Sequence, residues 1–66
     1  MADSVFKKIQ FVGTSMKSMS DAVANAVAKA AETESDLSWF EVVEQRGSVA
    51  RGRIQYQVTI NVGTKL

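Results

Sequence analysis

The clearest structural signal in the chain is the ten-residue sequence RIQYQVTINV at positions 53–62. Apolar residues occupy every second position, and polar residues occupy the positions between them. This two-residue period is typical of a β-strand that buries one face and exposes the other. The apolar face carries Ile54, Tyr56, Val58, Ile60 and Val62, and the polar face carries Arg53, Gln55, Gln57, Thr59 and Asn61.

A second strand is predicted for the preceding sequence WFEVVEQR, residues 39–46. We expect the two strands to form a hairpin around Ser48 to Gly52, because glycine supplies the backbone angles that tight loops need. Residues whose numbers sum to about 100 then lie opposite each other. Strict alternation places Trp39, Glu41, Val43 and Gln45 on one face, and Phe40, Val42, Glu44 and Arg46 on the other.

Trp39 is the only tryptophan in the chain, and this register places it on the polar face, with Gln57 and Asn61. A large flat aromatic side chain among amides, on a face that the core does not use, predicts a partner. That partner is either another subunit or a flat ligand. The same alternation sends Glu41 and Glu44 to opposite faces, so we do not expect them to act as a pair of catalytic acids.

The first half of the chain predicts a strand over residues 5–14 and a helix from Met19 to about Glu34. Ser18 is the expected N-cap of the helix, and Asp21 suits its first turn, where the helix dipole favours an acid. The helix is rich in alanine, so it can lie close to a sheet. Its predicted buried face carries Met19, Val23, Ala26, Val27, Ala30 and Ala31.

The order strand, helix, strand, strand predicts an α+β fold, a β-α-β-β subunit that forms a single domain over residues 1–66. We expect the third strand, which alternates most cleanly, to lie between the other two in a three-stranded antiparallel sheet. One helix covers one face of this sheet, including Phe40 and Val42. The other face and both edges stay uncovered, which predicts assembly with further copies.

Composition limits the chemistry of the chain. Its 66 residues can bury only a small core, and small domains usually gain stability from disulfides, metals or oligomerisation. The sequence has no Cys and no His, which excludes disulfides, zinc–thiolate sites and a cysteine nucleophile, and removes the usual general base. We therefore predict a homo-oligomer and no metal site.

The charge pattern argues against two classes of partner. The net charge is +1, with both signs spread along the chain, whereas nucleic-acid binders concentrate Lys and Arg on one face. No apolar run approaches the roughly 20 residues of a membrane span. The first residues, Met-Ala-Asp-Ser, lack the pattern of a signal peptide. We expect a cytoplasmic protein that binds neither nucleic acid nor membrane.

Several short motifs, taken together and in order, resemble the dodecin family over about Val5 to Leu66. They are Val12-Gly13-Thr14-Ser15, Trp39-Phe40-Glu41-Val42, Arg46-Gly47, Tyr56-Gln57-Val58 and Val62-Gly63. The resemblance implies a hollow homododecamer that binds flavins and acts as a flavin store or buffer, not as an enzyme. It implies FMN as the ligand, with riboflavin or FAD as other candidates, and coenzyme A as a further ligand of some members.

The resemblance also implies roles for individual residues. Trp39 would stack on the isoalloxazine ring, and two flavins with two such tryptophans from symmetry-related subunits would form one aromatic stack. Gln57 would hydrogen-bond the polar edge of the ring, and Arg46 would lie near the ligand. Alternation puts Arg46 on the face opposite Trp39, so this role requires a bulge near Gly47 or a pocket shared between subunits. Gln55 has the same side-chain chemistry and the same predicted face as Gln57, and it is the second choice for the ring edge.

The chain departs from the family at its end. Many bacterial members continue Val-Gly-Phe-Arg-Leu, where this chain has Val-Gly-Thr-Lys-Leu at residues 62–66. Lys65 keeps the positive charge but lacks the planar, two-pronged donor of arginine. The resemblance therefore does not extend to a contribution of this position to binding phosphate or coenzyme A.

Two alternatives to a flavin store remain open. The first is a structural module of the same shape, in which Trp39 only packs between subunits, as tryptophan often does. The second is a flavin enzyme, which needs a substrate site beside the ring. A ring covered on both sides leaves little room for such a site.

Overall fold

The computed structural model describes residues 3–66. It contains the strand β1 (Phe6–Ser15), the helix α1 (Met19–Thr33), the strand β2 (Leu37–Ala50) and the strand β3 (Arg53–Lys65). The predicted β-α-β-β order is confirmed, and β2 extends beyond its predicted bounds at both ends. The expected absence of a signal peptide rests partly on Met1 and Ala2, which lie outside the described residues.

The three strands form one sheet in the order β1-β3-β2, and β3 is antiparallel to both neighbours. The prediction that the third strand lies in the centre is therefore confirmed. Its strict alternation fits this position, because β3 buries Val58, Ile60 and Val62 beneath the helix. Within residues 3–66, no helix has the length and apolar character that crossing a membrane requires.

The hairpin loop is shorter than the sequence predicts. Pairing between β2 and β3 continues to Ala50 and Arg53, so only Arg51 and Gly52 form the turn. Both have positive φ angles, 54° and 75°, as the tightest hairpin turns require. The predicted register is consequently wrong by two to three residues, since Arg46 lies opposite Gln57 and Glu41 lies opposite Asn61.

A β-bulge changes which residues of β2 share a face. Val42 pairs with Ile60 and Glu44 pairs with Thr59, which leaves Val43 without a partner in the ladder. One extra residue in a strand reverses the alternation beyond it. Glu44 and Arg46 therefore share the face of Trp39 and Glu41, and the prediction that they point the other way is wrong. Gln45 correspondingly joins the face of Phe40.

The core lies between α1 and one face of β1 and β3. Ala22, Ala26 and Ala30 pack against Val58, Ile60 and Val62, and all six are buried. The helix can approach this closely because its buried face is alanine and because Gly13 lies beneath it. A Cβ atom at Gly13 would lie 2.8 Å from the Cβ atom of Ala26. The predicted helix face is confirmed in part, since Ala22 is buried and Ala31 is exposed.

The start of the helix follows its sequence signal. The backbone N–H of Asp21 donates to Oγ of Ser18 at 3.0 Å, which confirms Ser18 as the N-cap. The hydroxyl of Ser15 donates to Oδ2 of Asp21 at 2.7 Å. This bond ties the end of β1 to the first turn of α1, and so fixes the direction in which the helix crosses the sheet.

The helix leaves β2 largely uncovered. Some apolar side chains of β2 and β3 lie on the helix side of the sheet but are not covered by the helix. They form an apolar ridge, which consists of Phe40, Val42, Val49 and Ile54. Phe40 is 49% exposed and Val42 is 44% exposed. The prediction that the helix covers Phe40 and Val42 is therefore wrong for the single chain, because α1 lies over β1 and β3.

Candidate functional site

The sheet face opposite the helix, here called the open face, carries all four predicted site residues. It is formed by alternate residues of each strand, as the register requires. It consists of Phe6, Lys8, Gln10, Val12 and Thr14 of β1, Trp39, Glu41, Glu44, Arg46, Ser48 and Ala50 of β2, and Arg53, Gln55, Gln57, Thr59, Asn61, Gly63 and Lys65 of β3.

Trp39 lies at one end of the open face, directly opposite Gly63. Its indole covers Gly63 so closely that a Cβ atom at this glycine would lie 2.7 Å from Cδ2 of the ring. The ring of Phe6 lies beside the indole, with centroids 6.1 Å apart and an angle of 57° between the planes. Trp39 is nevertheless 38% exposed. One side of the indole is thus covered by backbone, and the other side is available to a flat partner.

Gln57 and Arg46 form a row near the other end of the open face. Gln57 lies opposite Arg46 on β2 and opposite Thr14 on β1. The bulge at Val43 makes this pairing possible, because without it alternation would send Arg46 to the helix side. The guanidinium of Arg46 is 4.0 Å from the carboxylate of Glu44, and both side chains are more than half exposed. Contacts of this kind are weak, so the guanidinium remains available to a ligand.

Gln55 occupies the next row toward the turn, opposite Ser48. It is exposed, whereas Gln57 is half-buried. Gln55 thus shares the face of Gln57, as predicted, but it lies further from the centre of the sheet. Within the described residues, no hydrogen bond links Gln55 to Gln57.

The single chain does not bring Trp39 and Gln57 together. Trp39 lies opposite Gly63, and Gly63 is six positions along β3 from Gln57. At about 3.3 Å per residue this spacing is roughly 20 Å, which exceeds the length of a three-ring ligand. This backbone spacing favours a site in which a flat ring meets Trp39 of one copy of the chain and Gln57 of another.

A polar network fills the centre of the open face, and the sequence does not reveal it. Lys8 Nζ lies 2.7 Å from Oε2 of Glu41, and the amide of Asn61 donates to the same oxygen at 3.1 Å. Gln10 in turn donates to Oδ1 of Asn61 at 3.3 Å. The hydrogen bonds from Lys8 and Asn61, and the charge of Lys8, hold the pKa of Glu41 below its ordinary value.

Glu41 and Glu44 share the open face, so the prediction that they point to opposite faces is wrong. Glu41 is held by Lys8 and Asn61, however, and Glu44 lies beside Arg46. Residues 3–66 contain no group of three or more His, Cys, Asp or Glu side chains arranged to hold a metal ion.

Gly63 and Phe6 are the residues of the site that sequence reasoning missed. Gly63 is part of a motif that resembles dodecins. Its contact with the indole, however, depends on the register of β2, which places Trp39 opposite Gly63. That register follows from the bulge at Val43 and from a second irregularity between Leu37 and Trp39. Neither irregularity leaves a sign in the alternation of the sequence.

Comparison with known proteins agrees with this architecture. The family model described as dodecin matches residues 5–66. A curated dodecin of Thermus thermophilus is 41% identical over 63 residues, which are 94% of this chain and 91% of the relative. The calcium dodecin of Mycobacterium tuberculosis is 36% identical over 64 residues, 96% of this chain and 90% of the relative. The solved structure of a dodecin from Streptomyces davaonensis superimposes with a TM-score of 0.93 at 38% identity, covering 98% of this chain and 97% of that one. The chain belongs to the dodecin family.

Proposed function

We propose that the protein binds and stores flavin, with FMN as the ligand, as a homododecamer in the cytoplasm that carries out no turnover. The observation that carries this proposal is the position of Trp39. Its indole rests on Gly63 with one side covered and keeps 38% of its surface exposed on a polar sheet face. The indole is electron-rich, lies against the sheet and is partly exposed, so it is suited to stack on the electron-poor isoalloxazine ring.

The polar groups of the open face suit the rest of the ligand. The Gln57 amide offers a donor and an acceptor side by side, which match the carbonyl and N–H groups along the pyrimidine edge of a flavin. Arg46 lies opposite Gln57 and offers a guanidinium to the phosphate of FMN. Gln55 is the second candidate for the ring edge, since it shares the face but lies one row further away.

The spacing of these residues supports a site shared between subunits. The backbone positions of Trp39 and Gln57 lie roughly 20 Å apart on the open face of one chain, so a flavin that contacts both is proposed to take Trp39 from one copy and Gln57 from another. The apolar ridge gives further copies a surface to bury. Two flavins between two indoles of neighbouring subunits, the arrangement that the family resemblance implies, satisfy both requirements.

Storage follows from the chemistry of such a stack. A flavin excited by light beside an indole loses its excited state by electron transfer from Trp39, so it generates little reactive oxygen. A ring covered on both sides leaves little room for a substrate. Riboflavin and FAD are further candidate ligands, because the same ring is present in each. Coenzyme A, a ligand of some family members, is a less supported candidate here, since Thr64 and Lys65 replace the aromatic residue and the arginine.

A fluorescence titration tests the proposal. FMN added to the purified protein is expected to lose its fluorescence almost completely on binding, whereas Trp39→Ala is expected to weaken binding by about 1–3 kcal/mol, as for a desolvated aromatic anchor. Unchanged quenching in the variant would show that the flavin stacks on another group. Mass spectrometry of ligands released from natively purified protein identifies which flavin is held.

The contact between Trp39 and Phe6 also favours a second candidate, a structural module in which the aromatic pair packs only against another subunit. In that case the assembly forms without ligand, purified protein is colourless, and Trp39→Ala reduces the size of the assembly. Light scattering of flavin-free protein and of this variant separates the two candidates.

A further inference from the structure

A groove lies on the open face at the end of the sheet that is formed by the hairpin turn. It is open to solvent, has a volume of about 650 Å³ and is lined by Met16, Ser48, Ala50, Arg51, Arg53 and Gln55. This volume falls within the range of small-molecule sites. We refer to it as the basic groove.

The last third of the chain carries only positive charges, although both signs occur before it and the net charge is only +1. Residues 45–66 contain Arg46, Arg51, Arg53 and Lys65 and no Asp or Glu, so every acidic residue precedes position 45. Neither Arg51 nor Arg53 forms an ion pair within residues 3–66. Two free guanidinium groups beside one groove produce a local positive potential that attracts anions.

The hairpin register brings hydrogen-bond donors onto neighbouring rows of the groove. Ser48 lies opposite Gln55, and Ala50 lies opposite Arg53, so these side chains belong to two successive rows of one hairpin. The turn that holds Arg51 is short, and its positive φ angles match the twist of the flanking strands. The two guanidinium groups, the Gln55 amide and the Ser48 hydroxyl are all donors. The small side chain of Ala50 leaves room between them.

We propose that the basic groove is a binding site for the phosphate group of a small phosphorylated molecule, with one site in each chain. Arginine forks bind phosphate oxygens in pairs, and the lining residues include no carboxylate to repel an anion. The size of the groove and the acidic residues elsewhere on the chain favour a small ligand over a nucleic acid, which needs an extended basic surface.

The groove is distinct from the position of Trp39 within one chain. Arg53 is ten positions along β3 from Gly63, the residue that the indole covers, which corresponds to about 33 Å. It is adjacent to the row of Gln57 and Arg46, however. The phosphate therefore has two possible sources, the phosphate of FMN bound at Gln57 or a separate phosphorylated molecule. Only the first source rests on the function proposed above.

Inorganic pyrophosphate is the probe that tests the site without flavin. Isothermal titration of the assembled protein at low salt is expected to show saturable binding at one site per chain. A double variant, Arg51→Asn with Arg53→Gln, is expected to weaken binding by about tenfold or more, since two charge-assisted contacts are lost. Asn is chosen at position 51 because it tolerates the positive φ angle there.

A charge-matched variant serves as the control. Lys7→Gln with Lys29→Gln also removes two positive charges, but these residues lie on the helix side, so pyrophosphate binding is expected to be retained. An equal loss of pyrophosphate affinity in both double variants would show that net charge alone explains binding, and would overturn the proposal. Binding of long polyphosphate or RNA without saturable binding of pyrophosphate would overturn it as well. Circular dichroism and light scattering verify that both variants keep their fold and size.

The flavin titration then assigns the source of the phosphate. If the arginine variant weakens FMN about tenfold and leaves riboflavin unchanged, the groove holds the phosphate of the flavin. If FMN and riboflavin bind as before while pyrophosphate is lost, the groove takes a separate phosphorylated molecule. A protein that binds pyrophosphate but no flavin would contradict the proposed storage function and leave the phosphate site standing.

Discussion

At the scale of single residues, Gly63 and Trp39 act as a unit. A strand residue that lies opposite a tryptophan normally carries a side chain, and that side chain would hold the indole away from the sheet. Here the absence of a Cβ atom lets the ring lie directly on the backbone of β3. The orientation of the indole, and thus the surface that it offers to a ligand, depends on this glycine.

Substitution of Gly63 by Ala is expected to destabilise the protein by about 1–3 kcal/mol, the usual cost of overpacking, and to weaken flavin quenching. In a Trp39→Ala background the same substitution should cost little, because the overlapping ring is gone. Urea unfolding of the four proteins measures the coupling. Gly52→Asn is the control, since a Cβ atom there meets nothing within 4 Å. Equal costs of Gly63→Ala with and without Trp39 would contradict the contact.

Gln57 and Arg46 are expected to differ in which flavin they affect. Gln57→Ala should weaken riboflavin and FMN alike, by roughly 1–3 kcal/mol for a buried partner left unpaired. Arg46→Ala should weaken FMN and spare riboflavin, and the preference for FMN should shrink as salt rises. Fluorescence titration of both ligands against both variants measures this. Equal losses for both ligands in Arg46→Ala would place Arg46 at the ring or the interface.

At the scale of elements, the sequence predicts the features that depend on hydrophobic alternation and on helix capping. The central position of β3 follows from its regular alternation, and the start of α1 follows from Ser18. The face of Arg46 could not be predicted, because one unpaired residue, Val43, reverses the alternation beyond it. A bulge has no sequence signature comparable to a two-residue period. The turn was misplaced for a related reason, since Arg51 adopts a positive φ angle that its residue type does not suggest.

The contacts of Glu41 with Lys8 and Asn61 on the open face should make the stability of the protein depend on pH. The pKa of Glu41 is lowered in the folded state, so its contribution is complete above the ordinary value of 4.5 and is lost as the pH falls through the lowered pKa. Urea unfolding at fixed protein concentration should therefore show wild type more stable than Glu41→Gln at pH 7, with a smaller difference at pH 3. Glu32→Gln, on the exposed surface of α1, is the control. A constant difference at both pH values would exclude this origin.

At the scale of the whole molecule, the single chain exposes apolar side chains on both faces of its sheet. The apolar ridge lies on the helix side, beyond the reach of α1, while Trp39 and Val12 are exposed on the open face. Both surfaces of the sheet therefore have something to bury. A narrow subunit, with extents of 55 × 20 × 14 Å, gains much of its stability from such contacts.

Wild-type protein is accordingly expected to run as one species near twelve chains in light scattering. Val42→Lys places a charge in the middle of the apolar ridge and should shift the protein to small species, because an unpaired charge is costly to bury. Ala28→Lys, on the exposed side of α1, should leave the size unchanged. A Val42→Lys protein with the wild-type mass would show that the ridge is not an interface.

The backbone of Gly63 covers one side of Trp39, so each chain can offer a flavin only one indole surface. Under the storage function proposed above, a flavin stack closed at both ends by an indole requires two chains, and its two flavins would contact and stabilise each other. We expect uptake to be cooperative, with a Hill coefficient of about 2 in a titration of flavin-free protein. Such a store stays almost empty at low flavin concentration and fills over a narrow range, which makes it a threshold device for the free flavin pool. A simple hyperbolic isotherm would indicate that the flavins bind independently.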